Sequence, residues 1–338
     1  MPAIKLDVTI RLTGDLRHDV EQIKHAERLG FDGVWVSETA HNPFFPLSIA
    51  AKETKGIRMA TQGAAAFPRS PMITAQIAWD LARQSGGRFS LGLGMLQRAH
   101  IERRFSEEWR DPVGRMREYI ESLRAIWNSF QTDARLRYRG EHYQFRLMAP
   151  FFNPGPIGHP EIPIYITGDD PETCQLAGEV CQGLHAHAMH TAAYLREALI
   201  PAVETGLKIA DRDRSKFELT AQVFVASGET ADERTRAARD LSERLAANVS
   251  SPSFRRVMNL HGWGALADEL QQMAGERRRK AMQAAITDDV LREFALIAKP
   301  KDIYAALVDR YAGIADRVCL EWTSDSARLF EAIAGSCD

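Results

Sequence analysis

Residues 4–38 read IKLDVTIRLTGDLRHDVEQIKHAERLGFDGVWVSE, a strand pattern followed by a helix pattern and a second strand pattern. The two strands are residues 4–10 and 33–38, which are rich in β-branched side chains. Asp15 is suited to cap the start of the helix, and Gly30 is suited to end it. The apolar face of the helix carries Leu16, Val20, Ile23 and Leu29. Because one helix joins the two strands, this stretch predicts a parallel β-α-β unit.

Similar units follow along nearly the whole sequence. Further strands are predicted at residues 57–61, 88–94, 162–166, 184–188, 217–226 and 317–322. With the first two, the total is about eight strands in 338 residues, and helical patterns separate most of them. Alternating strands and helices are typical of the α/β class, and this count favours a closed (β/α)8 TIM barrel over an open doubly wound sheet.

Two insertions are expected on this barrel, which we predict to be one domain spanning residues 1–338. The first contains a helix at residues 111–130 and a hairpin at residues 136–145 that turns at Gly140. The second is a charge-rich helical insertion at about residues 246–297. Its ERRRK run is typical of a solvated helix face rather than of a nucleic-acid patch.

The composition indicates a folded protein that binds neither nucleic acid nor membrane. Lys and Arg number 43 against 45 Asp and Glu, and 45% of the residues are hydrophobic, which excludes disorder, collagen-like repetition and a polybasic arm. No run approaches the roughly 18 apolar residues of a membrane helix, and the first residues lack the pattern of a signal peptide. We therefore expect a soluble cytoplasmic protein. The cysteines expected to be reduced and mostly buried, because they show no paired spacing, are Cys174, Cys181, Cys319 and Cys337.

Active sites of such barrels form where the carboxyl ends of the strands meet. The candidate residues at those ends are Glu38, His41, Gln62, Gly63, Gly94, Met95, Gln97, Thr167, Gly168, Asp169, His185, His187 and His190. Several are small or polar where a tight core would favour bulk, and that mixture is suited to a flat, ring-shaped ligand across the mouth of the barrel. Glu38 alone is ambiguous, since such a carboxylate can also cap a turn or pair with an arginine.

Two patterns allow other interpretations. His185 and His187 alternate on one strand and so point to one side, which suggests a metal site, although no HExxH-type motif accompanies them. Gly92 and Gly94 form part of a phosphate-loop pattern, but GxGxxG is incomplete and a Rossmann domain is disfavoured. Close approach of the backbone explains such glycines equally well.

Four segments resemble the luciferase-like monooxygenase superfamily, and the resemblance extends over nearly the whole chain. They are residues 26–38, residues 60–71 (ATQGAAAFPRSP), residues 85–94 (SGGRFSLGLG) and residues 162–183. Within the superfamily, the sequence is most similar to the branch assigned to the deazaflavin coenzyme F420. The segments HIERRF at residues 100–105 and LHGWG at residues 260–264 resemble one uncharacterised subgroup of that branch.

The resemblance implies a barrel that binds a flavin or deazaflavin at its mouth. It implies that Glu38 and His41 polarise the substrate or transfer a proton. It also implies that Gln62 and Gly63 back the ring across a non-prolyl cis peptide bond. The residues then expected to position the ring edge, the ribityl chain and the phosphate are Gly94, Met95, Thr167, Gly168 and His190. A basic cluster that is suited to steer an acidic cofactor tail, or to be a solvated helix face, comprises Arg98, His100, Arg103 and Arg104.

Two positions depart from the pattern of the family. In related sugar-phosphate dehydrogenases a glutamate past the fourth strand donates a proton, whereas this sequence has Gln97 there, and an amide cannot act as a general acid. Asp169 stands where a glycine is common, so its carboxylate is expected to point away from an anionic cofactor tail or to cap the next helix.

The function that these residues and the resemblance favour is that of an oxidoreductase. It would transfer a hydride between coenzyme F420 and a small organic substrate, in a homodimer. One alternative is an FMN-dependent monooxygenase on the same fold. Another is a metal-dependent hydrolase built on His185 and His187, and a third is a barrel that binds a ligand without turnover.

Overall fold

Parallel strands close into a barrel in the computed structural model, which describes residues 4–322 and 327–334. The strands are β1 (Lys5–Arg11), β2 (Gly33–Ser37), β3 (Arg58–Gln62), β4 (Ala64–Ala65), β5 (Phe89–Gly94), β6 (Tyr138–Arg139), β7 (Gln144–Phe145), β8 (Ile164–Gly168), β9 (Gly183–Ala186), β10 (Glu218–Ser227), β11 (Ala295–Ala298) and β12 (Arg317–Trp322). Eight of them form the wall in the order β10, β12, β1, β2, β3, β5, β8 and β9, and β9 pairs again with β10. The predicted α/β class and (β/α)8 TIM barrel are therefore confirmed.

Helices connect most of the barrel strands and pack outside the wall. They are α1 (Leu16–Arg28), α2 (Phe44–Glu53), α3 (Pro71–Ser85), α4 (Arg98–Arg103), α5 (Pro112–Thr132), α6 (Pro171–Val180), α7 (Ala192–Tyr194), α8 (Ile200–Ile209), α9 (Ala231–Val249), α10 (Arg255–Leu260), α11 (Gly264–Gly275), α12 (Arg279–Ala285), α13 (Asp288–Phe294), α14 (Ile303–Tyr311) and α15 (Ala327–Ala334). Asp15 caps α1 as predicted, because its side chain accepts hydrogen bonds from the backbone N–H groups of Arg17 and His18. Gly30, just past the end of α1, has a φ of 82°, which glycine adopts without strain.

The first insertion has the predicted helix and hairpin. Helix α5 is followed by β6 and β7, which pair in antiparallel fashion. The turn begins at Gly140, whose N–H donates to the carbonyl of Tyr143 at 2.9 Å. Strand β8 then begins at Ile164, two residues later than the sequence pattern indicates, because Pro163 lacks the N–H that a ladder requires.

The second insertion differs from its prediction at both ends. Helix α9 already begins at Ala231, where Thr230 and Glu233 form a reciprocal capping box. At the other end, residues predicted to be helical enter β11, which pairs in parallel with the far end of β10. The run ALIA is too short for its period to distinguish a strand from a helix. Its pairing with a distant strand decides the conformation.

The barrel is filled at its amino-terminal end by a buried ionic network. Arg317 donates to both carboxylate oxygens of Asp7, at 2.7 and 2.5 Å, and the indole of Trp35 donates to Asp7 at 2.8 Å. Arg317 and Asp7 are 2% and 0% exposed, so both charges depend on these partners. Glu218, beside them, binds Arg58 at 2.5 Å. This network, the ionic floor, closes the amino-terminal end of the barrel, opposite the mouth.

The prediction of unpaired, mostly buried cysteines is confirmed for three of the four. Cys174, Cys181 and Cys319 are free and buried, whereas Cys337 lies outside the described residues.

Over residues 4–322 and 327–334, no helix combines the length and the hydropathy that a bilayer crossing requires.

Candidate active site

Two glycines form a bare floor at the carboxyl-terminal mouth of the barrel. Gly63 lies between β3 and β4 with a φ of 66°, and an added Cβ there would lie 3.5 Å from Thr167 Oγ1. An added Cβ on Gly94 would lie only 3.0 Å from the carbonyl oxygen of Gly63. The expected cis bond between Gln62 and Gly63 is wrong, since no cis peptide occurs in the described part of the chain. The left-handed conformation of Gly63 makes the bend with a trans bond.

Gln62 is held rigidly beside this floor. Its Oε1 accepts a hydrogen bond from Ser37 Oγ at 2.8 Å, and its Nε2 donates to Gln222 Oε1 at 2.9 Å. These two hydrogen bonds link β2, β3 and β10 across the barrel. Gln222 was not predicted as a site residue, although the alternation of side chains along its strand places it on the inner face of the barrel. The amide is fixed by other side chains before any ligand arrives.

Glu38 is paired with an arginine, one of the alternatives considered from the sequence. Arg69 donates to Oε1 at 2.6 Å and to Oε2 at 2.8 Å, and the backbone N–H of Ala65 donates to Oε2 at 2.8 Å. The side chains of Glu38 and Arg69 are 10% and 18% exposed. Both carboxylate oxygens are therefore engaged in orienting the segment after β3. Arg69 was not predicted, and its place in the ATQGAAAFPRSP segment is the only sequence signal for it.

Three further candidates lie at the outer rim. His41 is exposed and its ring covers Gly14, where an added Cβ would meet the ring at 2.7 Å. Met95 is partly buried and packs against the core. Gln97 is exposed, and its Nε2 lies 3.5 Å from Ser253 Oγ in the second insertion. These residues border the mouth rather than its floor.

The predicted basic cluster of the loop after β5 is partly engaged. Arg98 donates to Glu102 at 2.8 Å within α4. Arg104 donates to the carbonyl of Thr39 at 2.8 Å and lies over the ring of Phe105. The first contact lies within α4, and the second binds the end of α4 to the loop after β2.

Three neighbouring strands present polar atoms that are buried without a partner among the described residues. They are Thr167 Oγ1 on β8, both ring nitrogens of His185 on β9, and Thr220 Oγ1 on β10. The strand register places Thr167 and Thr220 on either side of His185, whose ring packs 4.6 Å from that of Trp35. Burial, and then nearby His187, lowers the pKa of His185 to about 3, so its ring is neutral. Because an unpaired buried polar atom costs about 1–3 kcal/mol, this row is suited to bind polar atoms of a ligand.

His187 and His190 face different surroundings from His185. His187 stacks on Phe254 of the second insertion with ring centroids 5.9 Å apart. His190 donates from Nδ1 to the carbonyl of His187 at 2.7 Å, while its Nε2 is buried and has no partner within residues 4–322 and 327–334. Burial lowers the pKa of His190 to about 4. A neutral ring that donates from Nδ1 carries its lone pair on Nε2, so this atom accepts a hydrogen bond.

The metal-site interpretation gains no further ligand from the fold. Within residues 4–322 and 327–334, no group of three or more His, Cys, Asp or Glu side chains is arranged to hold a metal ion. His185 lies inside the barrel and His187 against the insertion. The pair is therefore divided between two environments.

Two adjacent carboxylates after β8 have different roles. Asp170 caps α6, accepting from the N–H of Thr173 at 2.9 Å and from its hydroxyl at 2.7 Å. The cap expected of Asp169 thus belongs to its neighbour. Asp169 is half-buried, and its backbone carbonyl accepts a hydrogen bond from the hydroxyl of Tyr194 at 3.0 Å. Gly168 must be small, since an added Cβ would lie 2.5 Å from Thr173 Cγ2.

The second insertion is fastened to the rim at several points. Arg256 of α10 binds Glu172 at the start of α6 through two hydrogen bonds of 2.6 and 3.0 Å. Thr191 Oγ1 lies 2.8 Å from His261 Nε2, and the His261 ring stacks on Trp263 at 4.4 Å. These last two residues belong to the LHGWG segment. That segment therefore supplies one contact between the insertion and the loop after β9, in addition to the stacking of His187 on Phe254.

Comparisons with known proteins agree with this architecture. A family model described as luciferase-like monooxygenase matches residues 4–317. An uncharacterised protein of Mycobacterium tuberculosis is 38% identical over 313 residues, which cover 91% of this chain and 92% of that protein. A 5,10-methylenetetrahydromethanopterin reductase of Archaeoglobus fulgidus is 27% identical, over 83% of this chain and 82% of that enzyme.

One solved structure shares the fold closely. The coenzyme F420 dependent tetrahydromethanopterin reductase of Methanopyrus kandleri aligns with a TM-score of 0.82, over 99% of this chain and 98% of that one. Its sequence is 19% identical, so this likeness concerns the barrel and its insertions.

Proposed function

Because the chain belongs to the luciferase-like monooxygenase family, we propose that it binds coenzyme F420 at the barrel mouth for hydride transfer with a small organic substrate. Oxidoreductases and monooxygenases share this family and fold. The preference for F420 is supported by the name of the similar Methanopyrus kandleri reductase. FMN and a monooxygenase reaction are the alternative, which the description of the family supports.

The observation that carries the proposal is the row of unpaired polar atoms beside a glycine floor. Thr167 Oγ1, the nitrogens of His185 and Thr220 Oγ1 are buried and lack partners among the described residues. Gly63 and Gly94 keep the adjacent backbone bare. A planar ring has flat faces for the glycines and a polar edge for the side chains. The residues present therefore fit a deazaflavin or flavin.

The residues of the chain would position this ring before reaction. F420, when bound, supplies or accepts the hydride, and the barrel supplies orientation. Gln62, fixed between Ser37 and Gln222, forms one border of the ring site. Nε2 of His190 accepts a hydrogen bond, so we assign to it a ribityl hydroxyl. The sequence prediction placed a phosphate beside His190, but an ionised phosphate has no proton to donate to Nε2.

The proposal extends to assembly and location. Phe45, Ile49 and Ile73 are apolar side chains on α2 and α3 that are 62%, 37% and 50% exposed. A second copy of the chain would cover them in the proposed homodimer. The free, buried cysteines Cys174 and Cys319 support a reducing compartment, and we place the protein in the cytoplasm.

A binding titration tests the proposal. Purified protein is titrated with F420 and, separately, with FMN, and bound ligand is followed by absorbance and fluorescence. Thr167→Val should weaken F420 binding about 10-fold, since a lost hydrogen bond is worth about 1 kcal/mol or more. Thr205→Val, on the outer helix α8, is the matched control and should bind like the wild type. Binding of FMN alone would favour the monooxygenase, and binding of neither compound would refute the proposal.

A further inference from the structure

Asp169 differs from the other carboxylates around the mouth of the barrel. Each of four others is engaged by a cation or a backbone cap. They are Glu38 with Arg69, Glu172 with Arg256, Glu321 with Arg244, and Asp170 with the start of α6. For the carboxyl group of Asp169, the described residues provide no side-chain partner. Its backbone carbonyl alone is bound, by Tyr194.

Strand alternation, continued one residue past the end of β8 at Gly168, assigns the Asp169 side chain to the inner face of the barrel. Side chains alternate along β8, and Tyr165 and Thr167 face inward, against Trp35 and Gly63 respectively. Gly168 faces outward, toward Thr173 of α6. Asp169, the first residue after β8, continues the alternation of Tyr165 and Thr167. It lies two residues after Thr167, whose hydroxyl belongs to the ring site proposed above.

The surroundings of Asp169 favour a neutral carboxyl group. Burial, and then the negative charge of Asp170, raises the pKa of Asp169 to about 7. The other titratable or charged groups that face this region are Glu172 and Cys174 from α6, Tyr194 from α7 and Arg256 from α10. Arg256 is already bound by Glu172. Both protonation states are therefore accessible near neutral pH, as a general acid and base requires.

We propose that Asp169 is the catalytic acid and base at the mouth, acting on substrates that contain a C=O or C=N group. The inference rests on the proposed function. As a hydride adds to the carbon, the π electron pair moves to the oxygen or nitrogen, and that atom takes the proton from Asp169 Oδ. The substrate is reduced, the reduced deazaflavin is oxidised, and the Asp169 carboxylate regains a proton from water. Gln97 cannot serve as this acid, because an amide has no acidic proton. Glu38 is also excluded, because both of its carboxylate oxygens are bound by Arg69.

The first test measures the proton directly, without turnover. In the F420-bound protein, the carboxyl group is titrated by the infrared difference between the wild type and Asp169→Asn. The expected midpoint lies near pH 7. Asp170→Asn, which keeps a capping side chain but removes the neighbouring charge, should lower that midpoint. A midpoint near pH 4 in the wild type would overturn the proposal.

The second test follows the oxidation of reduced F420 by acetone, cyclohexanone and a cyclic imine. Asp169→Asn should lower the rate about 100-fold or more and remove its decline above pH 7, while F420 still binds. Asp169→Glu should restore part of the rate. Asp309→Asn, on the exposed face of α14, is the control and should behave like the wild type.

The outcomes distinguish this inference from the proposed function. If F420 binds but Asp169→Asn reacts within a few-fold of the wild type, Asp169 is not the acid and the cofactor assignment stands. If the wild type turns over none of the three probes, the inference also fails. If F420 does not bind at all, the proposed function fails and the inference falls with it.

Discussion

At the scale of single residues, His185 is a neutral imidazole enclosed by the barrel. Its pKa is lowered to about 3 by burial, whereas an unfolded histidine titrates near 6.5. Below pH 6.5 the unfolded chain therefore binds a proton that the folded chain does not bind. His185 makes the protein progressively less stable as the pH falls from about 6.5 to 3.

His185→Phe should remove this acid sensitivity. Phenylalanine has a similar volume and leaves no unpaired nitrogen beside Trp35, so the variant should fold. The difference in melting temperature, variant minus wild type, should become more positive between pH 7 and pH 4. Thermal unfolding across this range measures it, and the value at pH 8 provides the baseline free of protonation. A pH-independent difference would show that His185 has the same pKa in the folded and the unfolded chain, which would contradict the prediction.

The role of a residue depends on partners that sequence spacing does not reveal. The position of Glu38 after a strand was predictable, but its pairing with Arg69 joins two loops that only the barrel brings together. The contact between Gln62 and Gln222 likewise crosses from β3 to β10. A position past a strand indicates that a residue lies at the mouth. It does not indicate whether its polar atoms are free for a ligand.

At the scale of elements, the ion pair between Arg256 and Glu172 joins α10 to the start of α6. The two side chains are 52% and 58% exposed, so the pair should add less than about 1 kcal/mol to the stability of the whole protein. Arg256→Ala should leave the unfolding free energy nearly unchanged and increase amide hydrogen exchange at both helix ends.

Arg255→Ala provides the matched control for this prediction. Arg255 forms an equivalent pair with Asp268 inside the insertion, so its loss should increase exchange in α10 and α11 but not in α6. Unchanged exchange at α6 in Arg256→Ala would contradict the view that this pair fastens the insertion to the rim.

The elements themselves were largely predictable from the sequence. Strands such as β1 and β10 contain several β-branched residues, and caps such as Asp15 mark where helices begin. Strand β11 could not be predicted, because its four residues, Ala295–Ala298, are determined by pairing with β10. The bend at Gly63 was located correctly, although its backbone geometry was not.

At the scale of the whole molecule, the ionic floor joins strands from opposite sides of the barrel. Burial alone would raise the pKa of Glu218, but Arg58, Tyr165 and Arg317 lower it to about 2. The unfolded side chain titrates near 4.3. Glu218 therefore stabilises the folded state above about pH 4.3, and this contribution is lost as the pH falls toward 2.

Glu218→Gln should cost on the order of 2–3 kcal/mol of unfolding free energy at pH 7, since one pKa unit corresponds to about 1.4 kcal/mol. The deficit should shrink as the pH falls and vanish near pH 2. Urea unfolding at several pH values measures it. Glu204→Gln, on the exposed face of α8, serves as the control. An equal deficit at pH 7 and pH 3 would refute the linkage.

Strand β10 is shared between the wall and the second insertion. Its first half pairs with β9 and β12, and its last residues, from Phe224 to Ser227, pair with β11, where the insertion ends. The insertion therefore begins after β10 and ends in β11, and backbone hydrogen bonds join these two strands in one sheet. A movement of the insertion that displaced both of its ends would have to break the hydrogen bonds between β10 and β11. We therefore expect ligands to enter and leave the mouth through side-chain rearrangements or small movements of α10 and α11.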